Sequence, residues 1–210
     1  MEPDRGETFW DERYRSQHRV WSGRPGDVLV ELTSDLPAGR ALDAGCGEGA
    51  DAVWLAGRGW QVTAVDLSSV ALARGAEEAA ALGNGLVDRI EWVHADLTAW
   101  SPAEPAYDLV SAQFLQLPAS VRDGVLRRLA AALAPGGSLL VVGHHPSDLH
   151  TTVRRPPLPE LFFTAEDVAA LLDPSGFEVL VSEARPRPAT DPEGRTVTVR
   201  DTVLLARRNP

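Results

Sequence analysis

The sequence predicts an α/β fold: a seven-stranded, mostly parallel sheet with helices on both faces and the last strand antiparallel. Three observations carry that prediction. Short apolar runs alternate with helix-length stretches from about residue 40 to residue 143, the pattern of repeated β-α units joined by right-handed crossovers. One of those runs passes through Asp43 into Gly45, Gly47 and Gly49 and leaves as a helix. The last two strand-like runs have only a polar, Pro-containing loop between them, so one of them enters antiparallel. A chain of 210 residues is long enough for one such domain with a full core.

Residues 1–6 read as a loose tail. Glu7 to Ser16 suits a short helix with Phe9, Trp10, Arg13 and Tyr14 near one face. Turn residues from Ser22 to Gly26 break the pattern, and Asp27 is placed to cap a helix carrying Val28, Leu29, Val30 and Leu32. The first strand is a short apolar one, Ala41 to Leu42, and the helix after the glycines closes at Gly57–Gly59. Gln61–Val65 is a strand ending at Asp66. Ser68 or Ser69 caps an alanine-rich helix to about Leu82, which Gly83-Asn-Gly85 ends. Arg89–His94 alternates as a strand and runs on to Ala95-Asp96-Leu97. Tyr107–Phe114 is the fourth strand. Pro118 to Leu133 is a helix with Leu126, Leu129 and Leu133 on one stripe, and Pro135-Gly-Gly137 turns into Ser138–Gly143, the fifth strand. Residues 144–160 read as irregular because of their prolines. Thr164 and Asp167 make a capping-box start to a helix ending near Gly176. Phe177–Ala184 and Thr196–Ala206 are the last two strands.

The formal net charge of −10 argues against nucleic acid as the main partner, since phosphate binding needs clustered basic residues. All 20 basic residues are Arg, and the single Cys46 excludes an internal disulfide framework. No N-terminal apolar segment reads as a signal peptide. No run approaches the roughly 20 apolar residues of a membrane span, so no membrane partner and a cytoplasmic location are expected.

The glycine turn at a helix N-terminus is a cofactor cradle, and Gly45-x-Gly47-x-x-Ala50 by itself satisfies a loose dinucleotide fingerprint. The acids sharpen it. Asp43 precedes the turn, where a carboxylate repels a pyrophosphate. Asp66 ends the second strand, where it can accept from ribose hydroxyls. Asp96 ends the third, where it can accept from an adenine amino group. Three acids at three successive strand ends suit a cofactor with a ribose, an adenine and a positive charge but no phosphate.

This set resembles the class I S-adenosylmethionine-dependent methyltransferases through Leu42-Asp-Ala-Gly-Cys-Gly-Glu-Gly49, Ala64-Val-Asp-Leu-Ser68, His94-Ala-Asp-Leu97, Tyr107-Asp-Leu-Val110 and Leu133-Ala-Pro-Gly-Gly137. The segment holding Phe9, Trp10 and Tyr14 to Trp21 looks like the N-terminal cap of the small-molecule branch that includes tellurite and thiopurine methyltransferases. The resemblance implies a Rossmann-like fold and S-adenosylmethionine as cofactor. It also implies an N-terminal arm over residues 1–36 that caps the site of a methyltransferase domain over 37–210. By position it sets the Gly45–Gly47 backbone, with Cys46, against the methionine part and Asp43 toward its ammonium. It gives Asp66 the ribose, Leu67 the adenine, and Asp96 and Leu97 the adenine edge. Ala112, Gln113 and Phe114 border the sulfonium and the acceptor.

Trp10, Tyr14 and Trp21 are either a lid over the cofactor or ordinary packing of the arm. Trp54, Trp60, Trp92 and Trp100 read as packing, and Cys46 as a small filler without a base beside it. His144 and His145 follow the fifth strand at the carboxyl edge of the sheet, where ligands bind in such folds, and are the candidates for a base or an acceptor contact. His144, His145, Asp148 and His150 match no tight metal motif, so no metal is expected. Arg154 and Arg155 are either steering charges or solvated loop residues. The reading is a small-molecule methyltransferase working by in-line transfer. A non-catalytic adenosylmethionine-binding protein and an NAD-dependent oxidoreductase are the alternatives.

Overall fold

The computed structural model describes residues 6–102, 105–156 and 158–210. The tail expected over residues 1–6 lies outside them except for Gly6, as does Pro157. Seven strands form one sheet: β1 (Arg40–Ala44), β2 (Gln61–Asp66), β3 (Ile90–His94), β4 (Tyr107–Gln113), β5 (Leu133–His144), β6 (Phe177–Thr190) and β7 (Thr196–Arg208). Their order is β3-β2-β1-β4-β5-β7-β6. The pairs from β3 to β5 are all parallel, and β7 runs antiparallel to both β5 and β6.

The helices are α1 (Glu7–Arg15), α2 (Asp27–Thr33), α3 (Ala50–Gly57), α4 (Ser69–Leu82), α5 (Ala119–Ala131) and α6 (Ala165–Ala169). They cover both faces because successive strand residues point to opposite sides. Leu139 and Val141 of β5 pack with Val125, Leu126 and Leu129 of α5. Leu140 and Val142 join Leu29 of α2, Leu55 of α3 and the fully covered Trp60. The strand order reverses between β1 and β4, and the crevice outside their carboxyl ends is where ligands bind in such sheets.

The element order agrees with the sequence reading, and the departures have local causes. Strand β1 is longer than Ala41–Leu42 and carries Asp43 inside it. Gly26 caps α2, and Asp27 is its first helical residue, a carboxylate at the positive end of the helix dipole. Ser68 is the cap of α4, accepting from the Ala71 N–H. Helix α5 stops at Ala131, so Leu133 opens β5 and packs from the sheet. The capping box of Thr164 and Asp167 forms, but α6 ends at Ala169. Residues 144–160 contain two 3₁₀ turns, Pro146–His150 and Pro159–Leu161, each with proline in its first turn, where no intrahelical N–H is required. Strand β6 continues through Pro186 and Pro188, which the sequence reading assigned to a loop. As the sheet's edge, β6 has an outward side that forms no ladder, so the missing N–H groups cost nothing there. No helix among the described residues is long and apolar enough to cross a membrane.

Candidate active site

The turn after β1 is held from below by the sheet. The N–H groups of Gly45 and Cys46 both donate to the Val65 carbonyl, at 2.8 and 3.0 Å. The Gly47 N–H donates to Asp66 Oδ2 at 2.8 Å, and the Ser68 N–H donates to Asp66 Oδ1 at 2.8 Å. Gly49, at φ +76°, is the cap of α3, and a side chain there would run into the Trp92 ring. A Cβ on Gly47 would lie 2.8 Å from the Tyr14 hydroxyl. The backbone is bare on both sides because neighbours occupy the space a side chain would need.

Three acids surround this turn, Asp43 buried and the other two half-buried. Asp66 is joined by Asp43, 2% exposed, whose Oδ2 has no hydrogen-bond partner among the described residues. The third is Asp51 in the first turn of α3, whose oxygens accept from the Gly26 N–H at 2.7 Å and Gln113 Nε2 at 2.6 Å. Burial raises the pKa of all three, and the charges of Asp51 and Asp66 push Asp43 further up. Burial, with Asp43 and Asp66 nearby, also pushes the Cys46 thiol up, which makes it a poor nucleophile. An orphaned carboxylate oxygen beside two further acids is an environment that a cationic ligand would complete.

The N-terminal arm closes over the turn. Asp11 of α1 is buried and accepts from Ser68 Oγ at 2.6 Å. Tyr14 is buried, and its hydroxyl accepts from Trp21 Nε1 at 3.0 Å. Burial and the Asp66 charge push the Tyr14 hydroxyl well above its ordinary pKa. Glu48, inside the glycine turn, accepts the N–H groups of Val20 and Trp21 at 3.0 and 3.2 Å and pairs with Arg74 of α4 at 2.9 Å. One carboxylate thus ties the arm, the turn and α4 together.

A cavity of about 1030 Å³ runs from this turn toward β5 and β7. Asp43, Gly45, Cys46, Gly47, Asp66, Leu67, Asp96, Leu97, Gln113, Phe114, Trp10, Tyr14, Trp21 and His144 all line it. Ala112 does not; its side chain lies in the core beneath. Asp96 is exposed at the rim, with Oδ1 accepting the Thr98 N–H. Phe114 stands at φ +51°, and its ring lies 4.9 Å from that of His144.

His144 Nδ1 is buried and has no partner among the described residues. Burial first, then the guanidinium groups of Arg155 and Arg187, depress the ring's pKa to about 4 against the opposing pull of Asp148. His145 points elsewhere. It caps the 3₁₀ turn, with Nδ1 2.9 Å from Ser147 Oγ, and it does not line the cavity. Asp148 accepts the Arg200 N–H at 2.8 Å and pairs with Arg155 at 2.9 Å. Among the described residues, no group of three or more His, Cys, Asp or Glu is arranged to hold a metal ion.

Arg155 lines the cavity and Arg154 does not. Arg187 and Asp201, paired at 2.6 Å, also line it. Sequence reasoning missed Asp11, Glu48, Asp51, Arg187 and Asp201. Asp51 carried a signal, an acid in the first turn of the helix that leaves the glycines. The others come together only through long-range packing.

A family model described as Methyltransferase domain matches residues 41–137. The chain is 31% identical over 138 residues to Probable thiol methyltransferase 2 of Arabidopsis thaliana, covering 63% of this chain and 60% of that protein. It is 29% identical over 191 residues to Thiocyanate methyltransferase 1 of the same plant, covering 89% and 80%. It is 37% identical over 121 residues to Trans-aconitate 2-methyltransferase of Rhizobium meliloti (strain 1021), covering 56% and 43%. Two solved structures share the fold. One, described as "Conversion of a Disulfide Bond into a Thioacetal Group during Echinomycin Biosynthesis", has a TM-score of 0.77 at 22% identity over 97% of this chain and 91% of that one. The other, TehB from Haemophilus influenzae, has a TM-score of 0.69 at 20% identity over 97% and 67%.

Proposed function

We propose that this chain is a class I S-adenosylmethionine-dependent methyltransferase that carries a methyl group to a small-molecule acceptor by in-line transfer. The observation that supports this most is the continuity of the cavity from the glycine turn to β5 and β7. One end is ringed by Asp43, Asp51 and Asp66 around bare glycine backbone, and the other is furnished with His144, Arg155 and Arg187. When bound, S-adenosylmethionine supplies a methyl group on a positively charged sulfur. The orphaned Oδ2 of Asp43 suits the ammonium of that cofactor, and Asp66 suits its ribose. Leu67, Asp96 and Leu97 would hold the adenine, and Gln113 and Phe114 would border the sulfonium. Residues 1–36 would act as the cap of a domain spanning 37–210, with Trp10, Tyr14 and Trp21 excluding water. Positioning and water exclusion then account for most of the catalysis.

A small acceptor fits relatives named for thiocyanate and trans-aconitate, although the chain spans only 60% and 43% of the first and third relatives above. The net charge of −10 disfavours nucleic acid as the acceptor. A cytoplasmic location goes with the same reading.

The test is the melting-temperature shift with S-adenosylmethionine, S-adenosylhomocysteine and NAD in parallel. A ligand at 100 times its Kd stabilises the folded state by about 2.7 kcal/mol. Stabilisation by the two adenosyl compounds alone is expected, and stabilisation by NAD alone would overturn the proposal. Methyl transfer to a trial acceptor panel separates an enzyme from a non-catalytic binding protein.

A further inference from the structure

Resting on the methyltransferase reading above, we propose that the acceptor is a small organic acid taken up in its ionised form, held by Arg187 and Arg155 beside His144, with its own anionic atom as the nucleophile. Three adjacent strands build this end of the cavity: His144 on β5 lies opposite Asp201 on β7, and Asp201 lies opposite Arg185 on β6.

Each guanidinium is fixed from behind by one carboxylate. Arg155 gives Nε and Nη2 to Asp148 Oδ2 at 3.1 and 2.9 Å, and Arg187 gives Nε to Asp201 Oδ2 at 2.6 Å. Among the described residues, Arg155 Nη1 and both terminal nitrogens of Arg187 make no protein hydrogen bond. Arg155 and Arg187 therefore keep free N–H donors at the cavity with their side chains already oriented, the arrangement that recognises an oxyanion. The buried Asp201 Oδ1, also without a partner, belongs to the same cluster.

Proton inventory points the same way. An alcohol acceptor needs a base to take its proton, and an amine arriving as ammonium needs one to free its lone pair, in each case with a pKa near the working pH. His144 is held at about 4 by burial and by the two arginines, far too weak a base for that task. Tyr14 and Cys46 hold their protons to high pH, and the acids with raised pKa surround the glycine turn at the other end. An acceptor that enters already ionised needs none of them. In the step itself, a bond forms between the acceptor's oxygen or sulfur and the methyl carbon as the carbon–sulfonium bond breaks. The electron pair of that bond stays on the departing sulfur, and no proton moves. Opposite charges on the two reactants are cancelled as it proceeds, so a cavity that excludes water favours it.

The experiment loads the cofactor site with S-adenosylhomocysteine and measures further thermal stabilisation by benzoate, phenylacetate and thiophenolate against benzyl alcohol, benzamide and benzylamine. Methyl transfer from S-adenosylmethionine to the same panel is followed alongside. Stabilisation and turnover by the acids alone are expected, with kcat/KM rising through each acceptor's own pKa. The carboxylate and thiolate arms separate an oxygen from a sulfur nucleophile. Arg187→Gln should raise the KM for the acids about tenfold or more without changing the Kd of S-adenosylhomocysteine, and Arg187→Lys should recover part of that loss. Arg187 suits the test because its side chain is 40% exposed against 14% for Arg155, and glutamine keeps an N–H donor for the buried Asp201. Three results would each overturn the inference while leaving cofactor binding intact: no acid stabilises the loaded protein, the amine or alcohol is the better substrate, or Arg187→Gln leaves the KM for the acids unchanged. Absence of any S-adenosylhomocysteine binding would remove the methyltransferase reading, and this inference with it.

Discussion

Replacing Asp43 by Asn should make the ligand-free protein more stable at alkaline pH while weakening its hold on the cofactor. Asp43 is almost fully covered, accepts the Ala52 N–H with one oxygen and leaves the other unpartnered beside Asp51 and Asp66. Its carboxyl ionises near pH 3.9 in the unfolded chain, and burial together with those two neighbours raises that value well up in the folded one. Between the two values the folded state binds the extra proton. Stability therefore falls as pH rises, by about 1.4 kcal/mol per pH unit for each group fully inside its window. For a domain of this length, 1 kcal/mol is about 2–4 °C, so one such acid lowers the melting temperature by roughly 3–6 °C per unit across its window. Asparagine keeps the acceptor for Ala52 and never ionises. Melting curves from pH 4.5 to 8.5 should therefore fall more gently for Asp43→Asn than for the parent, with the variant melting higher at pH 8. Asp51 and Asp66 keep some slope in both. On the proposed pairing of Asp43 with the cofactor's ammonium, the same change removes a charged contact, so calorimetric affinity for S-adenosylhomocysteine should drop by roughly 10- to 100-fold. Parallel pH curves, or a variant that melts lower than the parent at pH 8, would refute the account of this acid cluster.

Asp66→Ala should weaken cofactor binding more than it changes the fold, and it also strips a partner from the Gly47 and Ser68 N–H groups; unchanged calorimetric affinity would remove Asp66 from the site. Gly49→Ala combines a strained φ of +76° with a Cβ 2.6 Å from Trp92 Cζ3, and should cost about 1–3 kcal/mol in urea unfolding; a variant as stable as the parent would mean that Trp92 moves aside freely. Glu48→Gln keeps an acceptor for only part of the Val20, Trp21 and Arg74 set, so limited trypsin digestion should cut sooner at Arg13, Arg15 or Arg19, and Trp21 fluorescence should shift; an unchanged digestion pattern would show that Glu48 does not hold the arm.

The half of the cavity we assign to the cofactor was legible because its signals are local. A strand, three glycines and a helix lie within about twenty residues, and Asp66 and Asp96 announce themselves at the ends of apolar runs. The half we assign to the acceptor was not, since it is assembled from chain segments far apart in sequence. Arg187 sits 43 residues after His144 yet acts on it, because β7 inserts between β5 and β6. His144 and His145 were indistinguishable as neighbours in sequence. Strand alternation and the 3₁₀ turn send one ring into the cavity and the other to cap Ser147. Pro186 and Pro188 read as loop residues because a sequence does not say which strand will be the edge.

The latch between Glu48 and the arm has a kinetic consequence. The contacts that dock the arm are made within the chain itself, so ordering the arm is part of folding, and an arriving molecule meets a nearly assembled enclosure at a smaller entropic penalty. The same contacts then stand across the exit. If spent cofactor must pass the arm to leave, Glu48, Asp11 and Tyr14 have to let go first. Turnover would then be paced by departure, and loosening the arm would speed release while it weakened retention.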